Sequence, residues 1–259
     1  MTLSSDIFTT LLPGKIIDIH VGYSRTAVLA ETERGLSCGL AATLANPLFM
    51  HRCNPSVSNA GHLLEMTTEE LVNLAESDSY TEVSIGLAAI NALVPIDPAD
   101  CVELNAEVYL REHALHKNVA LVGHFPFVER LRPDLNNLWV LELDPRDGDI
   151  PAEQAPDYIP RADVVAITAT TLINHTFEGL LALSKPTTRV MVLGPSTPLS
   201  PVLFDKGVDL LCGTIVTDPR AAMLGISQGA SSHQLHEAGA TMQVTLQRKL
   251  PIPVTRSNQ

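Results

Sequence analysis

Short, uninterrupted apolar runs recur through the second half of the chain, at 118–122, 137–143, 163–167, 189–193 and 208–211. Each is too short for a helix and continuous rather than alternating, which is the pattern of a strand buried on both faces of a parallel sheet. Helical patterns at 103–116, 172–183 and 218–226 fall before or between them, so the spacing predicts βαβ crossovers and a sheet covered on both sides. A last run, 239–250, reads as a final strand before a proline-containing tail. The first half has a different grammar. Residues 15–30 mix alternation with β-branched residues and predict one or two strands, 31–34 a turn, and 35–44 a return strand. Thr67-Thr68-Glu69-Glu70 opens a helix, with a threonine cap and carboxylates at the positive end of its dipole. Residues 81–93 predict a helix whose small side chains permit close packing. Val94-Pro95-Ile96-Asp97-Pro98 ends it and marks the break in composition. The expected organisation is a small α+β unit over 1–98 and an α/β unit with a mostly parallel sheet over 99–259.

Composition narrows the partners. The chain has 259 residues, 45% of them hydrophobic and 18% charged, which suits a packed core and not a disordered chain. Its formal net charge is -12, and no basic cluster stands out in the sequence to neutralise phosphates, so nucleic acid and anionic membrane are not expected partners. The amino terminus lacks the charged-then-apolar pattern of a secretory signal. The longest weakly polar stretch, 83–94, is too short to span a bilayer. Cys38, Cys53, Cys101 and Cys212 are scattered, with neither a zinc-ribbon spacing nor a disulfide framework, and a cytoplasmic location is expected.

In a parallel sheet the carboxyl ends of the strands are where ligands bind. Those ends carry His124; Glu142 and Asp144; Thr168, Thr170, Thr171, Asn174 and His175; Ser196 and Thr197; and Thr214. His124, in Gly-His-Phe-Pro, can ligate a metal, act as acid or base, or donate to a ligand carboxylate; alternatively it packs between Phe125 and Phe127. Thr168 to His175 has the make-up of an anion cradle at a helix start, or of ordinary capping. The stiff loop Gly194-Pro-Ser-Thr-Pro-Leu-Ser-Pro201 is either a binding loop or a proline-rich connection. No G-x-G-x-x-G or Walker pattern is present, so no nucleotide cofactor is expected, and no serine triad is expected either. His51 and Cys53 place an imidazole and a thiol together, a poor metal signal without paired ligands. His113/His116 and His233/His236 share an i,i+3 spacing that suits solvated helix faces.

Several of these stretches together resemble one family. Val122-Gly-His-Phe-Pro-Phe127, Glu142-Leu-Asp-Pro145, ITATTLINHTFEGLL at 167–181 and LGPSTPLSP at 193–201 are similar to DUF364, described as a heavy-metal chelation domain. Val21-Gly22-Tyr23, Gly39-Leu-Ala-Ala-Thr43 and Ser84-Ile-Gly-Leu-Ala-Ala-Ile-Asn-Ala92 look like its companion DUF4213. The resemblance implies an enolase-N-terminal-like domain packed on a Rossmann-like domain, with the site in the cleft between them. On that reading the protein takes a small anionic or metal-chelating ligand. Asn91 would line the cleft from the first domain, and His124, Thr168, Thr170, Thr171, Asn174, His175, Ser196, Thr197 and Thr214 from the second. A transition metal ion would be held by His124 and Glu142. The rival is an enzyme acting on a small anionic metabolite, with His124 or His175 as acid/base. A homodimer is a further expectation.

Overall fold

The computed structural model describes residues 3–45, 56–103 and 106–248. His51 and Cys53 therefore lie outside the described residues. After a short helix α1 (Leu3–Phe8), three strands form an antiparallel meander: β1 (Gly14–Val21), β2 (Arg25–Thr32) and β3 (Gly35–Ala42). Helix α2 (Thr68–Asn73) begins with the expected cap: Thr67 Oγ1 accepts from Glu70 N–H at 3.2 Å, and Glu70 Oε2 accepts from Thr67 N–H at 2.8 Å. Helix α3 (Tyr80–Leu93) is buried along 11 of its 14 residues. A helix that is apolar all round must be enclosed on every side. One side lies on β2 and β3, where glycine permits unusually close approach: a Cβ at Gly39 would stand 2.1 Å from Ala88 O. Its buried Glu82 carboxylate accepts from Ser58 N–H and from the Ser77 hydroxyl, tying the segments on either side of α2 to the helix.

The second sheet has eight strands: β4 (Cys101–Val102), β5 (Asn118–Val122), β6 (Asn137–Glu142), β7 (Ile150–Pro151), β8 (Val164–Thr168), β9 (Arg189–Leu193), β10 (Leu210–Val216) and β11 (Thr241–Gln247). Their order is β4-β11-β10-β9-β8-β5-β6-β7, parallel from β10 to β7 and antiparallel at β11 and β4. The five long parallel strands thus follow the doubly wound order 2-1-3-4-5, with the order of addition reversing between β5 and β8. Continuous apolar runs are explained by two-sided burial. Ala120, Val122, Val165, Ile167, Val190 and Val192 join one core cluster, while Val119, Leu121, Val164, Ala166, Met191 and Leu193 join another. The second cluster is closed by Tyr109 and Leu110 of α4 (Ala106–His113) and by Val128 and Leu131 of α5 (Val128–Leu131). The first runs without interruption into the front of the chain, through Ile16, Val28, Leu71 and Ile85. Among the described residues, no helix is long and apolar enough to cross a membrane.

Two expectations shift in the structure. The strand expected at 208–211 runs to Val216, because antiparallel pairing with β11 continues after the parallel pairing with β9 stops at Cys212. Thr214 is therefore inside a strand and not at a strand end. The single helix expected over 172–183 is two, α7 (Thr170–Ile173) and α8 (Phe177–Ala182), after α6 (Ala155–Tyr158). Between them Asn174 Oδ1 accepts from both Thr176 N–H and the Thr176 hydroxyl, and His175 takes φ 58°. That side-chain turn competes with the helix and ends it. The remaining helices are α9 (Val202–Asp205), α10 (Pro219–Ser227) and α11 (Ser232–Glu237).

Candidate functional site

A cleft of about 300 Å³ opens at the carboxyl ends of β5, β6 and β8. It coincides with the reversal of strand order, where the loops leaving β5 and β8 part to opposite sides and leave a crevice. Gly123 forms its floor with φ 98°; a Cβ there would also stand 3.2 Å from the Thr168 side chain. Val122, Phe125, Leu141 and Leu180 supply apolar walls, and His124, Thr168, Thr170 and Asn174 supply polar groups.

His124 is held from two directions. Its backbone N–H donates to Glu142 Oε2 at 2.8 Å, and its Nδ1 lies 3.0 and 2.9 Å from Asp149 Oδ1 and Oδ2. The Asp149 side chain is 1% exposed and the imidazole 17%. Since a carboxylate only accepts, Nδ1 carries a proton, and in the neutral imidazole the lone pair is then on Nε2, on the ring edge away from Asp149. Phe125 and Phe127 stack on each other with centroids 5.2 Å apart; the histidine is not wedged between them. Asp149 was not among the residues singled out from the sequence. It arrives through the short β6–β7 connection, since Ile150 pairs beside Leu141, and Arg146 N–H also donates to it at 3.0 Å. The only signal for it was the turn-rich Asp144-Pro-Arg-Asp-Gly-Asp149. Asp144, which stood at the predicted strand end, is exposed.

The other sequence candidates divide into separate places. Thr168, Thr170, Thr171, Asn174 and Glu142 line the His124 cleft. The threonines do not make a helix-end anion cradle, because α7 is a single turn. Thr171 Oγ1 donates to Thr168 O at 2.6 Å, and the Thr168 and Thr170 hydroxyls pair at 3.0 Å. His175 faces another depression, and its Nε2 sits 2.9 Å from Ser77 O. Ser196 is buried at the seam between the two sheets, where its Oγ accepts from Ala42 N–H at 2.7 Å. Asn91 Nδ2 donates to Leu40 O at 2.8 Å and to Ser196 O at 3.3 Å. The loop over 194–201 is thus a buried fastener: Ser196 satisfies backbone that water cannot reach, while the Thr197 hydroxyl is buried without a hydrogen-bond partner among the described residues. Asn91, Thr197 and Thr214 border a void of only about 60 Å³ there.

The donor set does not fit a bare heavy-metal ion. Among the described residues no three His, Cys, Asp or Glu side chains converge. Both Glu142 oxygens accept backbone N–H groups, from His124 and from Leu143 at 2.7 Å, so the expected His124–Glu142 pair is not a ready ligand pair. Thiolates are scarce among the described residues as well. Burial pushes the Cys38 thiol up to about 12, helped by Asp18, and the Cys212 thiol up to about 11 against a hydrogen bond from Thr245. Burial raises Cys101 too, with Asp100 and Asp97 adding to it. Because the folded values lie above the ordinary thiol value, the associated stability is complete below about pH 9 and is lost as pH rises through the folded values. Urea unfolding should show stability falling above pH 9, by at most about 1.4 kcal/mol per pH unit for each thiol. Cys38→Ala and Cys212→Ala together should flatten that fall.

A 28% identical relative, the uncharacterised protein MJ0500 of Methanocaldococcus jannaschii, matches over 84% of this chain and 85% of its own. A crystal structure of a protein of unknown function from Desulfitobacterium hafniense superposes with a TM-score of 0.77 at 26% identity, covering 95% of this chain and 98% of that one. One from Pyrococcus horikoshii gives 0.79 at 23% identity, with the same coverage, and speaks to the fold alone. Both are described as members of the DUF364 family. The DUF4213 family model matches residues 9–94 and the DUF364 model residues 107–245, each described as "Putative heavy-metal chelation". The chain belongs to the DUF364 family, with a DUF4213 segment in front.

Proposed function

We propose that this protein binds a small ligand in the His124 cleft, and that a heavy metal reaches it as a chelate, with most of its coordination supplied by the small molecule. The reading rests on one observation: His124 lines the cleft with Nδ1 fixed by the buried Asp149, which leaves Nε2 to accept a proton or complete a metal's coordination. A single oriented imidazole is a poor chelator alone but a good last ligand for a complex with an open position. Apolar walls with a few polar groups, in a cleft of about 300 Å³, suit a compact organic chelate. The three free thiols among the described residues suit a reducing compartment such as the cytoplasm.

The test is calorimetry with nickel(II) nitrilotriacetate, which keeps coordination sites open, against nickel(II) alone. One equivalent of the chelate should bind, and His124→Ala should weaken it at least about tenfold. Equal binding by His124→Ala would overturn the reading, as would tight stoichiometric binding of the bare ion to both proteins. The same His124–Asp149 pair favours a second reading, an enzyme acting on a small anionic metabolite with His124 as acid/base. It would be selected by a co-purified metabolite that the protein converts, with turnover lost in His124→Gln while binding is retained. His175 has no part in either reading, since its ring is turned to Ser77.

A further inference from the structure

At the opposite end of β9 from the His124 cleft, a second cavity of about 370 Å³ is bordered by Lys185, Arg189, Lys206 and Arg248. These are four of the 17 lysines and arginines in a chain whose formal net charge is -12, so their convergence runs against the field of the whole protein. Lys206 is matched by Asp6, whose Oδ2 lies 2.6 Å from its Nζ. The one carboxylate lining the cavity, Asp209, is tied into the backbone: its Oδ2 accepts from Val190 N–H at 2.9 Å. Arg189 donates from Nη1 to the Tyr109 hydroxyl at 2.6 Å, which steadies the guanidinium and leaves its charge uncompensated by that partner. Lys185 and Arg248 are exposed and make no ion pair among the described residues. Among the lining residues, three cations besides Lys206 therefore face one carboxylate, while Asp6, Glu178 and Asp205 act on Lys206. A second observation is independent of charge. Ser184 is part of the cavity wall, and its Oγ is buried without a hydrogen-bond partner among the described residues. A buried hydroxyl left idle is uncommon; among the described residues Thr197, at the seam between the sheets, has the other.

We propose that this cavity is a second binding site, for the phosphate group of a small phosphorylated molecule. Arg189 and Arg248 supply planar, multiply donating guanidinium groups, Lys185 a mobile point charge, and Ser184 the short-range hydroxyl. A phosphate oxygen has lone pairs for all of them. The cavity is larger than one phosphate needs, which leaves room for the rest of a metabolite.

The experiment uses the full chain, with sodium pyrophosphate and inorganic phosphate as probes at fixed ionic strength, read by thermal unfolding and calorimetry. Pyrophosphate should raise the unfolding midpoint and bind with one equivalent, more tightly than phosphate. Lys185→Ala combined with Arg248→Ala should weaken it at least about tenfold. Ser184→Ala should weaken it severalfold, and His124→Ala should leave it unchanged. Lys185→Gln with Arg248→Gln, which keeps more of the side-chain stems, provides a second check if the alanine pair folds poorly. An unmoved midpoint at about 10 mM pyrophosphate would overturn the proposal. So would unweakened binding in the folded double variants. Binding abolished by His124→Ala would also overturn it, by assigning the anion to the other cleft.

Discussion

Gly39→Ala is expected to destabilise the protein by about 3 kcal/mol, a large effect for one methyl group. The added Cβ would lie 2.1 Å from Ala88 O, 2.2 Å from Ala92 N and 2.6 Å from Asn91 C. All three are backbone atoms of α3, so no rotamer change relieves the overlap. The helix cannot simply retreat, since its other surfaces are packed as well; at Gly86 an added Cβ would meet Ala75 N at 2.2 Å. Any shift of α3 also moves Asn91, whose amide joins Leu40 to Ser196 across the seam. Urea unfolding followed by circular dichroism measures the loss. Gly179→Ala is the matched control: it lies within α8, an added Cβ has nothing within 4 Å, and a gain of roughly 0.5–1 kcal/mol is expected. Equal, small effects at both positions would show that α3 is not wedged as described.

The second large effect is expected at Asp149. Asp149→Asn preserves size but replaces one acceptor oxygen with an NH2 group. If that amide donates to Nδ1 of His124, the imidazole proton must move to Nε2, and the Nε2 lone pair is gone. Affinity for nickel(II) nitrilotriacetate should drop roughly 10–100-fold. Nitrogen NMR of the imidazole should show the tautomer change, which a loss of packing alone would not produce. Asp144→Asn, on an exposed residue of the same connection, should change neither. An unaltered tautomer in Asp149→Asn together with unaltered affinity would remove Asp149 from the site.

What could be read from the chain depended on whether the deciding contact was local. The strands β5, β6, β8 and β9 were legible because two-sided burial demands continuous apolar runs, and these are too short for a helix; the two-residue β7 has no such run. Thr67 and Glu70 were legible because a capping box is complete within four residues. The break at Asn174 was not, because an asparagine turn and a helix interior have the same apolar periodicity around them. For Ser196 the composition was ambiguous: a hydroxyl beside prolines suits a ligand or a backbone amide equally well. Ala42, 154 residues away, decides it. His124 could be placed by the rule that strand ends bind ligands, whereas its partner Asp149 is delivered by a crossover that leaves no periodic trace.

The uninterrupted core that joins Ile16, Val28 and Ile85 to Val165, Val192 and Leu246 has a consequence for how occupancy is felt through the molecule. A guest in the His124 cleft touches only the rear half, yet it favours the folded form of everything that melts together with that half. Amide hydrogens in the front meander, at Val28 for example, would then exchange with deuterium more slowly in the loaded protein, with no change in their own surroundings.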